Sequence, residues 1–240
     1  MLSSNLDLHL LLELNSMVPH NALGYKIVNS MGSNSLNSLY RGFPVFFYMV
    51  VLWFSREDHK RRSRMLIGLL ATCLAIVMSL WMQYHLATHI RPFLDPSLHL
   101  LGINPNNTLG WNHLNSFPSD SATLFFSLAT VIFLESRIAG GIAFLWSLVT
   151  IGIARVATGW HYPSDIAGGL LLGIACVYLL TRIRPLSSFF ERLLLRYQPR
   201  MYIVHALVFF WLAEAYTLFS GLRGLYNGFV MICGYLVARL

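Results

Sequence analysis

Two residues in the second half of the chain have the types and spacing of a reactive histidine and an acid that orients it. His161 lies four residues before Asp165 in the segment ARVATGWHYPSD, and Pro163 between them suits the first position of a helix. A carboxylate that accepts a hydrogen bond from Nδ1–H holds the imidazole in one tautomer and leaves Nε2 as a base or a nucleophile. In the alternative, Asp165 is an ordinary first-turn helix acid and His161 is an interfacial aromatic ring. The pair is therefore a candidate for nucleophilic or acid–base catalysis.

Other polar residues are candidates for binding an anion beside that histidine. Arg91, in the segment THIRPF, and Arg155 can each give a phosphoryl group two parallel hydrogen bonds from a permanently charged guanidinium. Ser119, in SFPSDSA, precedes an apolar helical run, so it is a predicted N-cap whose following amides attract anions. Asp120 belongs to the same candidate phosphate-binding segment, although its carboxylate would repel a phosphate unless it points away. The alternatives are arginines that snorkel to the membrane interface and an ordinary helix cap.

The composition of the chain indicates that these segments lie at the ends of membrane helices. Of the 240 residues, 56% are hydrophobic and 11% are charged, and the mean hydropathy is +0.58. This is too apolar for a soluble domain of that length. We predict an all-α fold, a polytopic membrane helix bundle with about 6–7 transmembrane helices plus an N-terminal amphipathic helix. The apolar runs are 42–55, 65–90, 121–134, 138–157, 164–181, 201–219 and 225–238.

The amphipathic helix is predicted from leucines at helical spacing behind the capping signal Ser4-Asn5-Leu6-Asp7. Asp7 and Glu13 interrupt these leucines, which argues against a cleaved signal peptide. We expect the helix to lie at the membrane surface. Its apolar stripe would consist of Leu6, Leu10, Leu11 and Leu14.

The net charge of +7 is best explained by membrane topology, because most basic residues lie in short clusters between apolar runs. We therefore expect no nucleic-acid partner. The loops that carry these clusters alternate with the others and are predicted to be cytoplasmic, so the loop 91–119 and the turn 158–163 share the outer face. The basic residues concerned are Arg56, Lys60, Arg61, Arg62 and Arg64, then Arg137, then Arg182, Arg184, Arg192, Arg196 and Arg200.

No cofactor and no metal are predicted. His85 and His89 have the spacing of two ligands on one helix face, but no glutamate follows His85 as in zinc proteases. The nearest further ligands are His99 and His113 in a loop. The three cysteines lie singly in apolar runs without CxxC spacing.

Together, the three polar segments resemble the type 2 phosphatidic acid phosphatase superfamily, whose motifs are KxxxxxxRP, PSGH and SRxxxxxHxxxD. Arg91 and Pro92 match the end of the first motif, and Pro118 and Ser119 match the start of the second. The third motif is matched with its spacing intact by Arg155, His161 and Asp165. The resemblance covers roughly residues 40–182.

The resemblance implies that His161 attacks a phosphoryl group to form a phosphohistidine, and that Asp165 orients it. It implies that Arg91, Ser119 and Arg155 bind the phosphate oxygens. We accordingly divide the chain into an N-terminal interfacial helix and loop (1–40), a catalytic membrane core (41–182) and extra C-terminal membrane helices (183–240).

The departures from the motifs bear on the substrate. Tyr84 stands at the lysine position, Asp120 replaces the glycine and Ala154 the serine, and Ser121 replaces the histidine that protonates the leaving group in this superfamily. A serine hydroxyl cannot readily do so. A lipid phosphate that leaves from a diphosphate is already a stabilised anion, whereas an alkoxide from a monoester needs a proton. Ser121 therefore favours a polyprenyl or other lipid diphosphate.

The RPF and FPSD stretches are similar to those of bacterial undecaprenyl diphosphate phosphatases of the bacitracin-resistance type, which usually keep the histidine. The expected function is thus a lipid diphosphate phosphatase that recycles a polyprenyl carrier at the outer face of a bacterial inner membrane. A phosphotransferase and a catalytically silent lipid-phosphate-binding protein remain alternative functions. Assembly into a homo-oligomer also stays open. His113, eight residues before Ser121, is a candidate for the missing acid, and Tyr84 is a possible auxiliary residue.

One further carboxylate, Glu214, lies inside an apolar run beyond the resemblance. An intramembrane carboxylate is costly and often functional. Pairing with a residue such as His205 or a water-filled gap is the alternative.

Overall fold

The structure is a computed structural model that describes residues 5–18, 21, 24, 26–28, 30, 39–55, 58–86, 90–101, 115–217 and 219. Its helices are α1 (Asn5–Ser16), α2 (Leu39–Phe54), α3 (His59–His85), α4 (Asp120–Glu135), α5 (Arg137–Ser147), α6 (Ala154–Ala157), α7 (Pro163–Thr181), α8 (Arg184–Arg196) and α9 (Met201–Tyr216). A π-helical segment, Leu148–Ile153, joins α5 to α6 without a break. The described part of the chain is a helical bundle, which confirms the predicted fold class.

Helix α4 forms the centre of the bundle and contacts α2, α3, α5 and α7. Every residue from Ser121 to Ile132 is buried, so this helix has no solvent-facing or lipid-facing side along that stretch. Two of its hydroxyl side chains bond back to the backbone, since Thr123 Oγ1 donates to Ser119 O at 2.9 Å and Thr130 Oγ1 to Phe126 O at 2.7 Å. The start of α4, which carries the second motif, is therefore held by packing on all sides.

Glycines allow α4 and α7 to approach closely. A Cβ atom at Gly169 would lie 2.7 Å from Ser119 O and 2.9 Å from Ala122 Cβ, and one at Gly173 would lie 2.8 Å from Ser127 Oγ. The two glycines are four residues apart on one face of α7, the small-residue pattern that lets membrane helices pack backbone to backbone. As a result, the Ser119 amide donates to the Asp165 carbonyl at 3.1 Å and joins the second and third motifs directly.

Among the described residues, His59–His85, Arg137–Ala157 and Pro163–Thr181 are long and apolar enough to cross a membrane, and Gly42–Phe54 is a shorter apolar helix. The chain is thus an integral membrane protein. The predicted number of spans stays a prediction, because the apolar run 225–238 lies outside the described residues.

Helix α8 occupies a stretch that we predicted to be a cytoplasmic loop. Its apolar residues Leu186, Phe190 and Leu194 recur every four positions, and the helix also carries Arg184, Arg192 and Arg196. This spacing forms one apolar stripe that buries Leu194. The start of the helix is tied to α3, because Ser63 Oγ donates to Ser187 O at 3.0 Å.

Helix α1 forms as predicted, but its buried face differs from the predicted leucine stripe. The buried residues are Asp7, Leu11 and Asn15, whereas Leu6 is 68% exposed and Leu10 36%. Residues four apart share a helix face, so the two polar residues flank Leu11 on the side that contacts α6 and α7. The helix therefore packs on the bundle through a mixed polar and apolar face.

The contacts divide the chain into two units, Met1–Leu195 and Arg196–Leu240. The described part of the second unit contains α9, which begins after a short 3₁₀ turn, Gln198–Arg200. Glu214 lies half-buried near the end of α9. His205 is nine residues earlier on the same helix, about 13.5 Å along its axis, so the suggested pairing of these two residues is wrong.

Candidate active site

His161 is fully buried and both of its ring nitrogens face polar groups. Nδ1 lies 3.1 Å from the Ser116 carbonyl oxygen and 3.4 Å from Asp165 Oδ2, and Nε2 lies 3.3 Å from Nη1 of Arg91. A carbonyl oxygen only accepts and a guanidinium only donates, so a neutral ring with its proton on Nδ1 satisfies both contacts. The Nε2 lone pair then points at the Arg91 guanidinium.

The predicted contact between His161 and Asp165 is present, but the carboxylate acts together with Ser116. Asp165 Oδ2 also accepts from the Tyr162 amide at 2.8 Å, which holds the carboxylate against the first turn of α7. The Ser116 side chain bonds to the same carboxylate. The Ser116 carbonyl oxygen therefore lies closer to Nδ1 of His161 than the Asp165 carboxylate does, and both groups orient the imidazole.

Arg91 and Arg155 are each only 1% exposed. A snorkelling arginine would keep its guanidinium in water, so that alternative is wrong for both. Burial lowers the pKa of the Arg91 guanidinium from its ordinary value, and the nearby carboxylates Asp120 and Asp165 oppose the shift. A buried cation whose charge is costly favours an anionic ligand.

The backbone brings Arg91 to the turn that carries His161. Arg91 precedes the 3₁₀ turn Pro92–Leu94, and the Phe93 amide donates to the Gly159 carbonyl at 2.9 Å. Gly159 has a φ of 70°, a left-handed conformation that glycine adopts without strain. The Phe93 ring also meets Trp160 edge-on, with 4.8 Å between ring centroids.

Ser119 is the N-cap of α4 as predicted, and its Oγ accepts from the Ala122 amide at 3.4 Å. The expected free amides of this helix start are nevertheless occupied. Asp120 Oδ1 accepts from the Ser121 amide at 2.7 Å, and Ser119 O accepts from the Thr123 amide. The physical reason is the aspartate at the glycine position, since its carboxylate reaches the amide that an anion would otherwise use.

Ser121 is 1% exposed, and its hydroxyl lies 3.4 Å from Asp120 Oδ1. The position that the motif gives to a proton-transferring histidine therefore holds a hydroxyl that is directed to a carboxylate. Asp120 itself is half-buried and interacts electrostatically with Arg91.

Of the remaining predicted residues, the three that the structure describes, Tyr84, His85 and His99, make no hydrogen bond or ring contact with His161, Arg91 or Asp165. Tyr84 is 66% exposed. His85 stacks on Trp81 with ring centroids 4.8 Å apart, and His99 is exposed. His89 and His113 lie outside the described residues.

Sequence reasoning missed two residues of α3 that support the site. Gln83 Nε2 donates to the Pro118 carbonyl at 2.7 Å, Ser79 Oγ donates to the same oxygen at 3.1 Å, and Gln83 Oε1 accepts from Arg91 Nη2 at 3.5 Å. Gln83 thus links the first and second motifs. The sequence did carry a signal for them, because Ser79 and Gln83 lie four residues apart within an apolar run. Polar groups that face lipid are costly, so such a pair is expected to face the protein interior.

Comparison with known proteins gives a consistent result. The sequence profile of the PAP2 superfamily matches residues 89–189, the range that contains Arg91, Ser119, Arg155, His161 and Asp165. The chain is 32% identical to the bacitracin transport permease protein BcrC of Bacillus licheniformis over 152 residues, 62% of this chain and 70% of the relative. It is 33% identical to the putative undecaprenyl-diphosphatase YbjG of Escherichia coli (strain K12) over 53% of this chain and 61% of the relative.

A further relative is the undecaprenyl-diphosphatase BcrC of Bacillus subtilis (strain 168), which is 29% identical over 44% of this chain and 51% of the relative. No solved structure matches the chain.

Proposed function

This chain belongs to the PAP2 superfamily, and we propose that it hydrolyses a polyprenyl diphosphate such as undecaprenyl diphosphate through a phosphohistidine intermediate. The observation that carries the proposal is the setting of His161, whose Nδ1 lies 3.1 Å from an acceptor-only carbonyl while Nε2 faces Arg91. Relatives named undecaprenyl-diphosphatase support the substrate class. The catalytic core is the membrane region 41–182.

In the first step, Nε2 of His161 attacks the terminal phosphorus of the diphosphate. The bond from that phosphorus to the bridging oxygen breaks, and its electron pair leaves with the lipid monophosphate. The phosphorylated ring keeps its proton on Nδ1, between Ser116 O and Asp165, which stabilises the positive charge on the ring. Arg91 and Arg155 stabilise the equatorial oxygens in the transition state.

In the second step, water attacks the phosphohistidine. The N–P bond breaks, its electron pair returns to Nε2, and inorganic phosphate leaves while the proton of the water passes to solvent. Both steps use the same two arginines, which are buried before substrate binds. Their orientation therefore costs little at the moment of reaction.

Ser121 determines which leaving groups this site accepts. Protonation of a leaving group by a general acid typically contributes about 10²- to 10⁴-fold in rate. An alkoxide from a phosphate monoester depends on that contribution, whereas a lipid phosphate, with a second pKa of about 6, leaves as a stable anion. We infer that diphosphates are hydrolysed and that monoesters such as phosphatidic acid are poor substrates.

We place the site at the outer, periplasmic face of a bacterial inner membrane. Support comes from an ion-pair cluster at the ends of α3 and α4 that lie away from the site. There, Arg64 forms a bidentate ion pair with Glu135, with N–O distances of 2.7 and 2.9 Å. Arg61 also lies 3.5 Å from Glu135. Positive residues favour the cytoplasmic side, and Gln83 and Pro118 lie at the other ends of α3 and α4.

A second candidate, a phosphotransferase, is favoured by one observation. The Ser121 hydroxyl is directed to Asp120 and does not ionise near neutral pH, so this position cannot activate water as a histidine would. A lipid or glycan hydroxyl would then accept the phosphoryl group from His161.

The test is phosphate release by detergent-purified protein from undecaprenyl diphosphate and from phosphatidic acid. We expect release from the diphosphate only, its loss in His161→Ala, and an acid-labile phosphoprotein when the terminal phosphate is labelled. A labelled protein that loses its label only after an acceptor alcohol is added, with the label recovered in the phosphate ester of that alcohol, would instead establish the transferase. Neither label nor release would indicate a binding protein. His113→Ala tests the remaining source of an acid, and unchanged turnover would exclude it.

A further inference from the structure

The residues that connect α6 to α7 form a short turn, Thr158–Tyr162, which carries His161. We call it the catalytic turn. The direction of the imidazole depends on where the two flanking helix ends lie relative to each other. Helix α1, more than 140 residues earlier in the chain, contacts both ends.

Asp7 holds the end that begins α7. Its Oδ1 accepts from the Ser164 amide at 2.9 Å, and the residue is 8% exposed. In the first turn of α7, the Tyr162 amide donates to Asp165 Oδ2 at 2.8 Å, Pro163 has no amide hydrogen to donate, and the Ser164 amide is the donor that Asp7 binds. Asp7 therefore caps, from a distant helix, the same first turn that contains Asp165, and its negative charge suits a helix N-terminus.

Asn15 holds the end that terminates α6. Its Nδ2 donates to the Ala157 carbonyl at 2.7 Å, and its Oδ1 accepts from the Leu101 amide at 2.9 Å. The residue is 4% exposed. A carbonyl at a helix C-terminus lacks an intrahelical partner, so this bond fixes the point at which the chain leaves α6.

Leu11 lies between these two polar residues on the same face of α1. It is fully buried in a cluster with Val156 of α6 and Tyr162, the last residue of the catalytic turn, together with Ala122, Phe126 and Ile166. The face of α1 thus carries a cap for α7, an apolar contact in the middle and a cap for α6. Glu13, by contrast, has a side chain that is 54% exposed.

We propose that α1 is a clamp on the catalytic turn. Asp7 and Asn15 are positioning residues that keep Nε2 of His161 directed at the bound phosphoryl group. The Asn15–Ala157 and Asp7–Ser164 hydrogen bonds fix the distance between Ala157 O and Ser164 N. His161 lies between these two residues in the chain, so this distance affects the direction of its imidazole. The kinetic test of this clamp rests on the proposed function, whereas the hydrogen–deuterium exchange test does not.

The experiment compares Asp7→Ala, Asp7→Asn, Asn15→Ala and the matched control Glu13→Ala in the full-length protein. We expect Asp7→Ala and Asn15→Ala to lower kcat for undecaprenyl diphosphate by about 10- to 100-fold at nearly unchanged KM, because small displacements of a nucleophile are costly. Asp7→Asn should recover most of the activity, since an amide oxygen still accepts from Ser164. Glu13→Ala should match the wild type.

Hydrogen–deuterium exchange of a peptide covering residues 158–165 gives a readout that needs no activity. We expect faster exchange in Asp7→Ala than in Glu13→Ala or Asp7→Asn, without global unfolding. If the wild type releases no phosphate, the proposed function fails while this measurement still tests the clamp. Wild-type exchange in Asp7→Ala, an Asp7→Asn variant as impaired as Asp7→Ala, or activity lost only in proportion to unfolded protein would each overturn the proposal.

Discussion

The Nε2 atom of His161 lies 3.3 Å from Nη1 of Arg91, with both side chains removed from solvent. The proposed nucleophile and the charge that would receive the phosphoryl oxygens thus lie side by side. An anion that enters must come between them, which puts its phosphorus within reach of the Nε2 lone pair.

Replacement of Arg91 by lysine keeps the charge but removes the planar fork of donors. We expect Arg91→Lys to lower kcat/KM for undecaprenyl diphosphate by about 10²- to 10³-fold, the usual effect of losing an oriented transition-state donor. Steady-state kinetics in detergent would measure it. The exposed Arg192 supplies the control, since Arg192→Lys should leave the kinetics unchanged. Equal activity of the two variants would contradict the role of Arg91.

Ser121→His tests whether the missing acid sets the substrate class. We expect the variant to hydrolyse phosphatidic acid about 10²- to 10⁴-fold faster than Ser121→Asn, which adds bulk without a group that titrates near neutral pH. Hydrolysis of the diphosphate should change much less. Comparable rates for the two variants on phosphatidic acid would show that this position does not limit the reaction.

Gln83→Met removes both the bond to the Pro118 carbonyl and the contact with Arg91 while keeping the side-chain length. We expect turnover to fall about 10- to 100-fold, because two motifs lose their common support. The adjacent Tyr84, which stands at the lysine position of the motif, is largely exposed, so Tyr84→Phe should have no effect. The reverse ranking of these two variants would mean that Tyr84 enters the site during turnover.

Gly169→Ala should destabilise the protein, since its Cβ would lie 2.7 Å from the Ser119 carbonyl oxygen. Overpacking of this kind costs about 1–3 kcal/mol, and activity should fall as Ser119 moves away from Asp165. Gly141→Ala is the matched control on α5, where a Cβ meets nothing within 4 Å. Alanine there should be neutral or stabilising by about 0.5–1 kcal/mol. Thermal unfolding in detergent would compare them, and equal stability would refute the close helix contact.

Much of the fold could be predicted because it depends on local pattern. Apolar runs located α4 and α7 within one residue, whereas α3 begins and ends earlier than the predicted run 65–90, and the Ser119 cap follows from its place before such a run. Helix α8 was missed because its arginines were assigned to topology alone, although its leucines and phenylalanines carry helical spacing. The leucines of α1 correctly indicated a helix, but the packing face predicted from them was wrong. Leucine spacing alone does not distinguish a face that packs on the bundle from one that meets lipid.

The sequence by itself determined the spacing of His161 and Asp165, the arginines and serine that accompany them, and the apolar helices that carry them. These features are local, so residue types and intervals along the chain are sufficient to reveal them. Only the tertiary structure decided that the Ser116 carbonyl orients His161, that Gln83 joins two motifs, and that Asp7 caps the helix of Asp165. A backbone carbonyl has no side-chain signature, and contacts between residues 35 to 157 positions apart depend on how closely helices pack.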